Sequence, residues 1–307
     1  MLDQVGSRLH RREPAKGKPM TSQNSSLVNK DTLNYGALLE RYPWLIQRDQ
    51  QAIISSDVDG ILCALLMSHY FNWKVVGFYD GRDIAVKQRV DPKTCIFLDM
   101  DIFRKDVRSC GHHLVLYDKN QMPANWDNYS NCINPNIIRN FRSPSKSKNR
   151  YPFGAIHFLL SIFGSLGLIK NNLSEKAIPI LLYVHGTVKN LFKYPENCNT
   201  WFRFLNVKNS ASLAYPIFTK FMNITMAELL LNLKDVIHSF NQIGGRKMFG
   251  GDKIKIFDIK NNLLQKQSME QIKKFICLLA QNTGWNYVPQ KWSWSNFRLS
   301  NFSAGIQ

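Results

Sequence analysis

Four aspartates stand where this chain could do chemistry: Asp57, Asp59, Asp99 and Asp118. Each group closes a short apolar run: residues 52–55 lead into SDVDG, residues 95–98 into DMDI, and residues 112–117 into DKN. One Asp after a strand is ordinary turn or N-cap chemistry. Three such endings on parallel strands would converge at the carboxyl edge of the sheet, where open α/β sheets bind their ligands. Carboxylates gathered there repel one another, and a cation relieves the repulsion. The residues thus imply a catalytic or metal centre of Asp57, Asp59, Asp99 and Asp118. An all-oxygen set of this kind suits one hard divalent ion, most naturally Mg²⁺.

The elements that must position these groups follow from apolar periodicity. Residues 52–55 and 74–79 read as buried strands on either side of an apolar helix, residues 61–71, which is a βαβ unit. Residues 80–93 read as a polar connection or short helix, and residues 95–102 and 112–117 as two further strands. Upstream, residues 32–48 form a helix that Pro43 interrupts. Residues 132–136 read as a short strand and turn. Helices are expected at 153–168 and 177–188, with Pro179 in a first turn, and again at 211–218, 225–240 and 269–281. His157 lies on an apolar helix and reads as a core or helix-surface residue rather than a ligand. Residues 253–259, KIKIFDI, alternate like a half-buried strand. The aromatic tail at 285–302 fits either base stacking or a strand capping the fold.

The chain has 307 residues and a formal net charge of +18. It is long enough for two domains. The reading is a basic disordered arm over 1–30, with Met20 as a second candidate start, an α/β domain over 31–210, and a smaller α+β domain from 215. The basic excess, interleaved with aromatics, points to a polyanionic partner, nucleic acid before nucleotide, and single strands before duplexes. The residues expected to contact it are Arg139, Arg142, Lys146, Lys148 and Arg150 around a Ser/Pro-rich loop, and Arg246 and Lys247 in IGGRKMFGGD. Glycine amides in the latter would form an anion nest; the alternative is a hairpin turn. A protein partner is compatible with the same surface. The six cysteines form no CxxC pair, which argues against a zinc ribbon and for reduced thiols in a cytoplasmic protein. No apolar run is long enough for a membrane partner.

The order of these segments resembles the DHH phosphoesterase superfamily, especially its RecJ-like single-strand exonucleases, over roughly residues 52–193. SSDVDGILCALLM is similar to the first motif, CIFLDMDI to the second, GHHLVLYDKN to the signature, CINPN to the Asn-Pro that follows it, YPFGAIHFLL to the Gly-Ala helix start, and LLYVHGTVKNLF to the segment that carries the last metal aspartate. The resemblance implies a parallel-sheet DHH-like α/β domain with flanking helices. It also implies degenerate motifs: Lys119 and Asn120 stand for the two signature histidines and Asn190 for the final aspartate. His112 and His113, at the start of their expected strand, would lie about 16 Å from its far end.

Two divalent ions need more ligands than four carboxylates supply. The expectation is therefore a nucleic-acid-binding protein on a nuclease-like scaffold, holding one Mg²⁺ or Mn²⁺ ion or none, with weak or absent nuclease activity. An ammonium from Lys119 would replace a lost ion. The alternative is an active metal-dependent phosphodiesterase on single strands or small nucleotides. DVDGIL also resembles the opening of haloacid-dehalogenase-like phosphatases, where the first Asp is a nucleophile and the second an acid/base. The helix begins too soon after the motif for that family's flap. A looser likeness to ATP-pyrophosphatase loops lacks the glycines of a phosphate cradle.

Overall fold

The structure, a computed structural model, describes residues 27–29, 31–80, 82–115, 126–139, 149–169, 173–243, 253–255, 257–258 and 263–300. Helix α1, Tyr35–Arg41, and a 3-10 turn at Pro43–Ile46 lead into the sheet. Asn34 caps α1 by accepting from the Ala37 amide.

Strand β1, Gln51–Ser55, is followed by helix α2, Val58–Phe71, and strand β2, Lys74–Tyr79. Strands β3 (Ile84–Lys87), β4 (Ile96–Leu98), β5 (Arg108–Cys110) and β6 (Cys132–Ile133) complete most of the sheet. The last strand, β7, is Phe297–Ser300. Spatial order is β7-β3-β2-β1-β4-β5-β6. From β2 to β6 every pairing is parallel, while β3 runs antiparallel to β2 and β7 antiparallel to β3. The protein is therefore an α/β structure with a mostly parallel sheet and flanking helices.

Helix α2 is buried nearly throughout, from Val58 to Phe71. An apolar helix without a polar face must be covered on all sides. The sheet lies on one side, and helix α4, Ala155–Ser165, packs on it from the other. Gly60 in its first turn is required by this closeness: a Cβ there would lie 2.4 Å from the Ser55 carbonyl oxygen.

Helices α5 (Ala177–Tyr183), α6 (Thr187–Lys193), α7 (Pro195–Phe204), α8 (Tyr215–Asn223), α9 (Met226–Gln242) and α10 (Lys266–Thr283) follow the short helix α3, Pro135–Ile138, and α4. One contiguous apolar cluster joins Leu27, the α2 residues, Phe240 of α9, Phe275 of α10 and Phe297 of β7. Residues 297–300, which composition assigned to a separate C-terminal domain, are thus the edge strand of the first sheet. The tail aromatics take the capping role: Trp292 and Trp294 stack with centroids 6.1 Å apart, and Trp294 lies 5.8 Å from Phe78 of β2.

Three local expectations change. The stretch 80–93 holds β3, because Ile84, Ala85 and Val86 are buried in the sheet. The strand expected at 112–117 is β5, ending at Cys110. The apolar helix expected at 177–188 breaks at His185, whose φ of 54° is left-handed. No helix among the described residues is long and apolar enough to cross a membrane.

Candidate metal centre

The tips of β1, β4 and β5 meet. Leaving β1, Asp57 caps α2: its Oδ1 accepts from the Gly60 amide at 3.1 Å. Asp59, in the first turn of α2, crosses to the next helix. Its Oδ2 accepts from Ala155 N at 2.7 Å and its Oδ1 from Ile156 N at 2.9 Å, at the start of α4. That approach needs Gly154, where a Cβ would lie 2.5 Å from Asp59 Oδ2. Asp99 leaves β4 with φ 59°, a left-handed setting that Asp tolerates better than most residues. The Ser55 hydroxyl lies 2.8 Å from Asp57 Oδ1 and 2.6 Å from Asp99 Oδ2. A hydroxyl has one proton, so it can fully serve only one of these carboxylates at a time.

Beyond β5, Gly111 turns the chain and His112 and His113 face Asp99. His112 Nδ1 and His113 Nε2 each lie 3.4 Å from Asp99 Oδ1, and His112 Nδ1 is 3.9 Å from Asp59 Oδ2. His185 joins from the break between α5 and α6, its ring 4.3 Å from that of His112. Ligand atoms of Asp59, Asp99 and His112 lie within 4.8 Å of one another, as do those of His112, His113 and His185. His112 is shared by both groups. Ligands about 2.1 Å from one ion sit roughly 3.0–3.4 Å apart, so the two 3.4 Å contacts fit a common ion. Asp99 Oδ1 and both His112 ring nitrogens are buried and make no hydrogen bond among the described residues. Such atoms are costly to bury unless something coordinates them.

The loop behind is pinned. Asn136 Nδ2 donates to the His112 carbonyl at 2.9 Å, and Asn136 Oδ1 accepts from Tyr151 N at 2.7 Å. Asp101 is a brace: its Oδ2 accepts from the His113 and Leu114 amides and its Oδ1 from Asn134 Nδ2. A Cβ at Gly111 would meet Asp101 Oδ1 at 2.5 Å.

The electrostatics show a shortage of positive charge. Burial, then the Asp99 charge, pushes Asp59 well above the usual carboxylate range, and the same two causes raise Asp57 despite Lys253. Burial would raise Asp99 as well, but the nearby His113 and His112, with Lys253, outweigh it and hold Asp99 low. His113, opposed by burial, is lifted to about 9 by Asp99. Burial and the neighbouring imidazoles keep His112 neutral, and burial lowers His185 to about 4. Neutral imidazole is the form that binds metal. Three imidazoles beside carboxylates suit Mn²⁺ or Zn²⁺ better than Mg²⁺.

The structure brings together Asp57, Asp59 and Asp99, three of the residues singled out in the sequence, and sets beside them three histidines that were not. The run HHLVLY looks like a strand, and starting the strand there sends both histidines to the wrong edge. In the structure they directly follow a strand end. The remaining signal was a His-Gly pair, His185-Gly186, inside an apolar run. Asn190, expected in place of a metal aspartate, lies on α6 and donates to the Pro152 carbonyl. Arg139, expected to bind nucleic acid, is committed elsewhere: it pairs with Asp31 at 3.2 Å and lies over the rings of Trp201 and Phe204. Arg150 lines a cavity of about 750 Å³ whose wall includes His112, His113 and His185. Asp118, Lys119, Asn120, Arg142, Lys146, Lys148, Arg246 and Lys247 fall outside the described residues. Comparison with known proteins adds no relative: no family model matches the chain, and neither curated proteins nor solved structures give a significant match.

Proposed function

We propose that the chain is a divalent-metal-dependent phosphodiesterase of DHH type acting on a single-stranded nucleic acid or small nucleotide. The observation that carries this reading is His112, whose two buried ring nitrogens have no hydrogen-bond partner among the described residues and lie beside Asp99 at the edge of a basic cavity. With the signature read at Gly111-His112-His113, directly after β5, two histidines of the motif are retained. Its leading acid is then replaced by Asp101, which reaches in from the neighbouring strand end.

Asp99, His112, His113 and His185 would hold the ion, with Asp59 beside them. When bound, it would polarise a phosphoryl oxygen and lower the pKa of a water. The chain's own groups do the rest. Arg150, Lys189 and Lys193 on the cavity wall neutralise phosphate charge, and Tyr183 and Tyr194 line the same wall. Asn136 and Asp101 keep the His112–His113 backbone in place, which limits reorganisation when substrate arrives. Asp57 takes no part in either ligand group.

The test is hydrolysis of an end-labelled single-stranded oligonucleotide and of a dinucleotide with Mn²⁺, alongside Mn²⁺ binding by calorimetry. Wild type should bind and cut, and Asp99→Asn should lose at least about a hundredfold in metal affinity along with turnover. Tight oligonucleotide binding with no metal uptake would replace this reading with a scaffold that binds without cutting.

A further inference from the structure

The segment at Lys253 lies against the metal rim. Ser56 Oγ donates to the Ile254 carbonyl at 2.8 Å, and Ile254 N approaches the Ser56 carbonyl at 3.5 Å. This clamp aims Lys253 inward, and its Nζ reaches Asp57 Oδ2 at 2.7 Å. The lysine side chain is only 19% exposed. Asp57 Oδ1 is taken by Gly60 N and Ser55, so Lys253 occupies the oxygen that remained. The ammonium also passes 5.9 Å from the Tyr79 ring centroid.

We propose that Lys253 is a built-in second cation: it holds the place beside Asp57 and Asp99 that another metal ion would take, so the centre binds one divalent ion per chain. This rests on the phosphodiesterase reading and deepens it. Two arguments support it. The first is geometric. Both ligand groups lie on the Asp59, Asp99 and histidine side of the rim, and neither includes Asp57. Yet Asp57 and Asp99 converge on one hydroxyl, which is how two carboxylates stand when they share a cation. The second is charge. The three carboxylates Asp57, Asp59 and Asp99 are matched by one ammonium and one divalent ion. A second divalent ion beside the ammonium would leave an excess of two positive charges in a buried site, which is costly. The sequence suggested an ammonium of this kind from Lys119; the structure supplies it from Lys253.

The experiment counts Mn²⁺ per chain, by calorimetry and by elemental analysis after desalting, in wild type, Lys253→Arg, Lys253→Met and Lys253→Met/Asp57→Asn. Magnetic resonance of the bound Mn²⁺ distinguishes an isolated ion from a coupled pair. The expected counts are one ion in wild type and in Lys253→Arg, two coupled ions in Lys253→Met, and one again in the double variant. Two ions in wild type would overturn the lysine's role while leaving the metal centre intact. A single ion in folded Lys253→Met would do the same. No ion in wild type would sink the phosphodiesterase reading itself. If Lys253→Met fails to fold, the wild-type and Lys253→Arg counts still decide, since a coupled pair in either refutes the proposal.

Discussion

Two regions of the molecule bury a histidine to nearly the same depth and treat it in opposite ways. At the start of α4, His157 is 1% exposed; past the end of β5, His112 is 4% exposed. The Gly154 amide donates to His157 Nδ1, and His157 Nε2 meets the Leu181 carbonyl at 2.9 Å. Every polar atom of that ring is used, which fixes the neutral tautomer and joins α4 to α5. Among the described residues His112 uses neither ring nitrogen in a hydrogen bond, and it faces a carboxylate and two more imidazoles. One ring holds the fold together. The other is held in place by the fold through Asn136 and left open toward the cavity. Burial alone does not distinguish a structural histidine from a ligand; hydrogen-bond satisfaction does.

The largest effect that tests this contrast is on metal affinity. His112→Leu should weaken Mn²⁺ binding at least about a hundredfold, whereas His157→Gln should leave it within about threefold. Equal losses from both would erase the distinction. Next comes acid stability. Burial lowers His157 to about 4, so its contribution is present above its unfolded pKa of about 6.5 and is lost as pH falls through 4, because only the unfolded chain takes up the proton over that range. The change amounts to about 3 kcal/mol, and denaturant melts at pH 8, 6 and 4 should show it shrink in His157→Gln. The smallest effect has an unusual sign. In metal-free protein, His112→Leu should be neutral or stabilising by about 1 kcal/mol, since it removes two unsatisfied buried atoms. A loss of several kcal/mol would mean that His112 is a core residue after all.

The sheet was largely legible in sequence because its strands are short apolar runs that end in turn-forming acids. Lys74–Tyr79 was readable residue by residue, and the helix between β1 and β2 needed only its long apolar stretch. What escaped detection has a physical cause in each case. Strand β3 is brief and lies between charged residues. Strand β5, Arg108–Cys110, has almost no apolar character, whereas the residues after it have a great deal, so periodicity placed the strand after the histidines. His185 depends on a left-handed kink that no propensity scale encodes. Lys253 reaches Asp57 from almost two hundred residues away in the chain, and no local pattern announces such a contact.

The pairing of β7 with β3 bears on how the molecule is made. Phe297 lies opposite Lys87, so the outer rim of the sheet cannot be closed until a ribosome has delivered roughly two hundred further residues. Over that interval a nascent chain presents the bare backbone of Ile84–Lys87, an invitation to pair with a stranger. Synthesis of this protein is therefore exposed to misassembly for far longer than its compact finished core would suggest, and a chaperone that shields that strand should raise its yield more than one that acts on the completed chain.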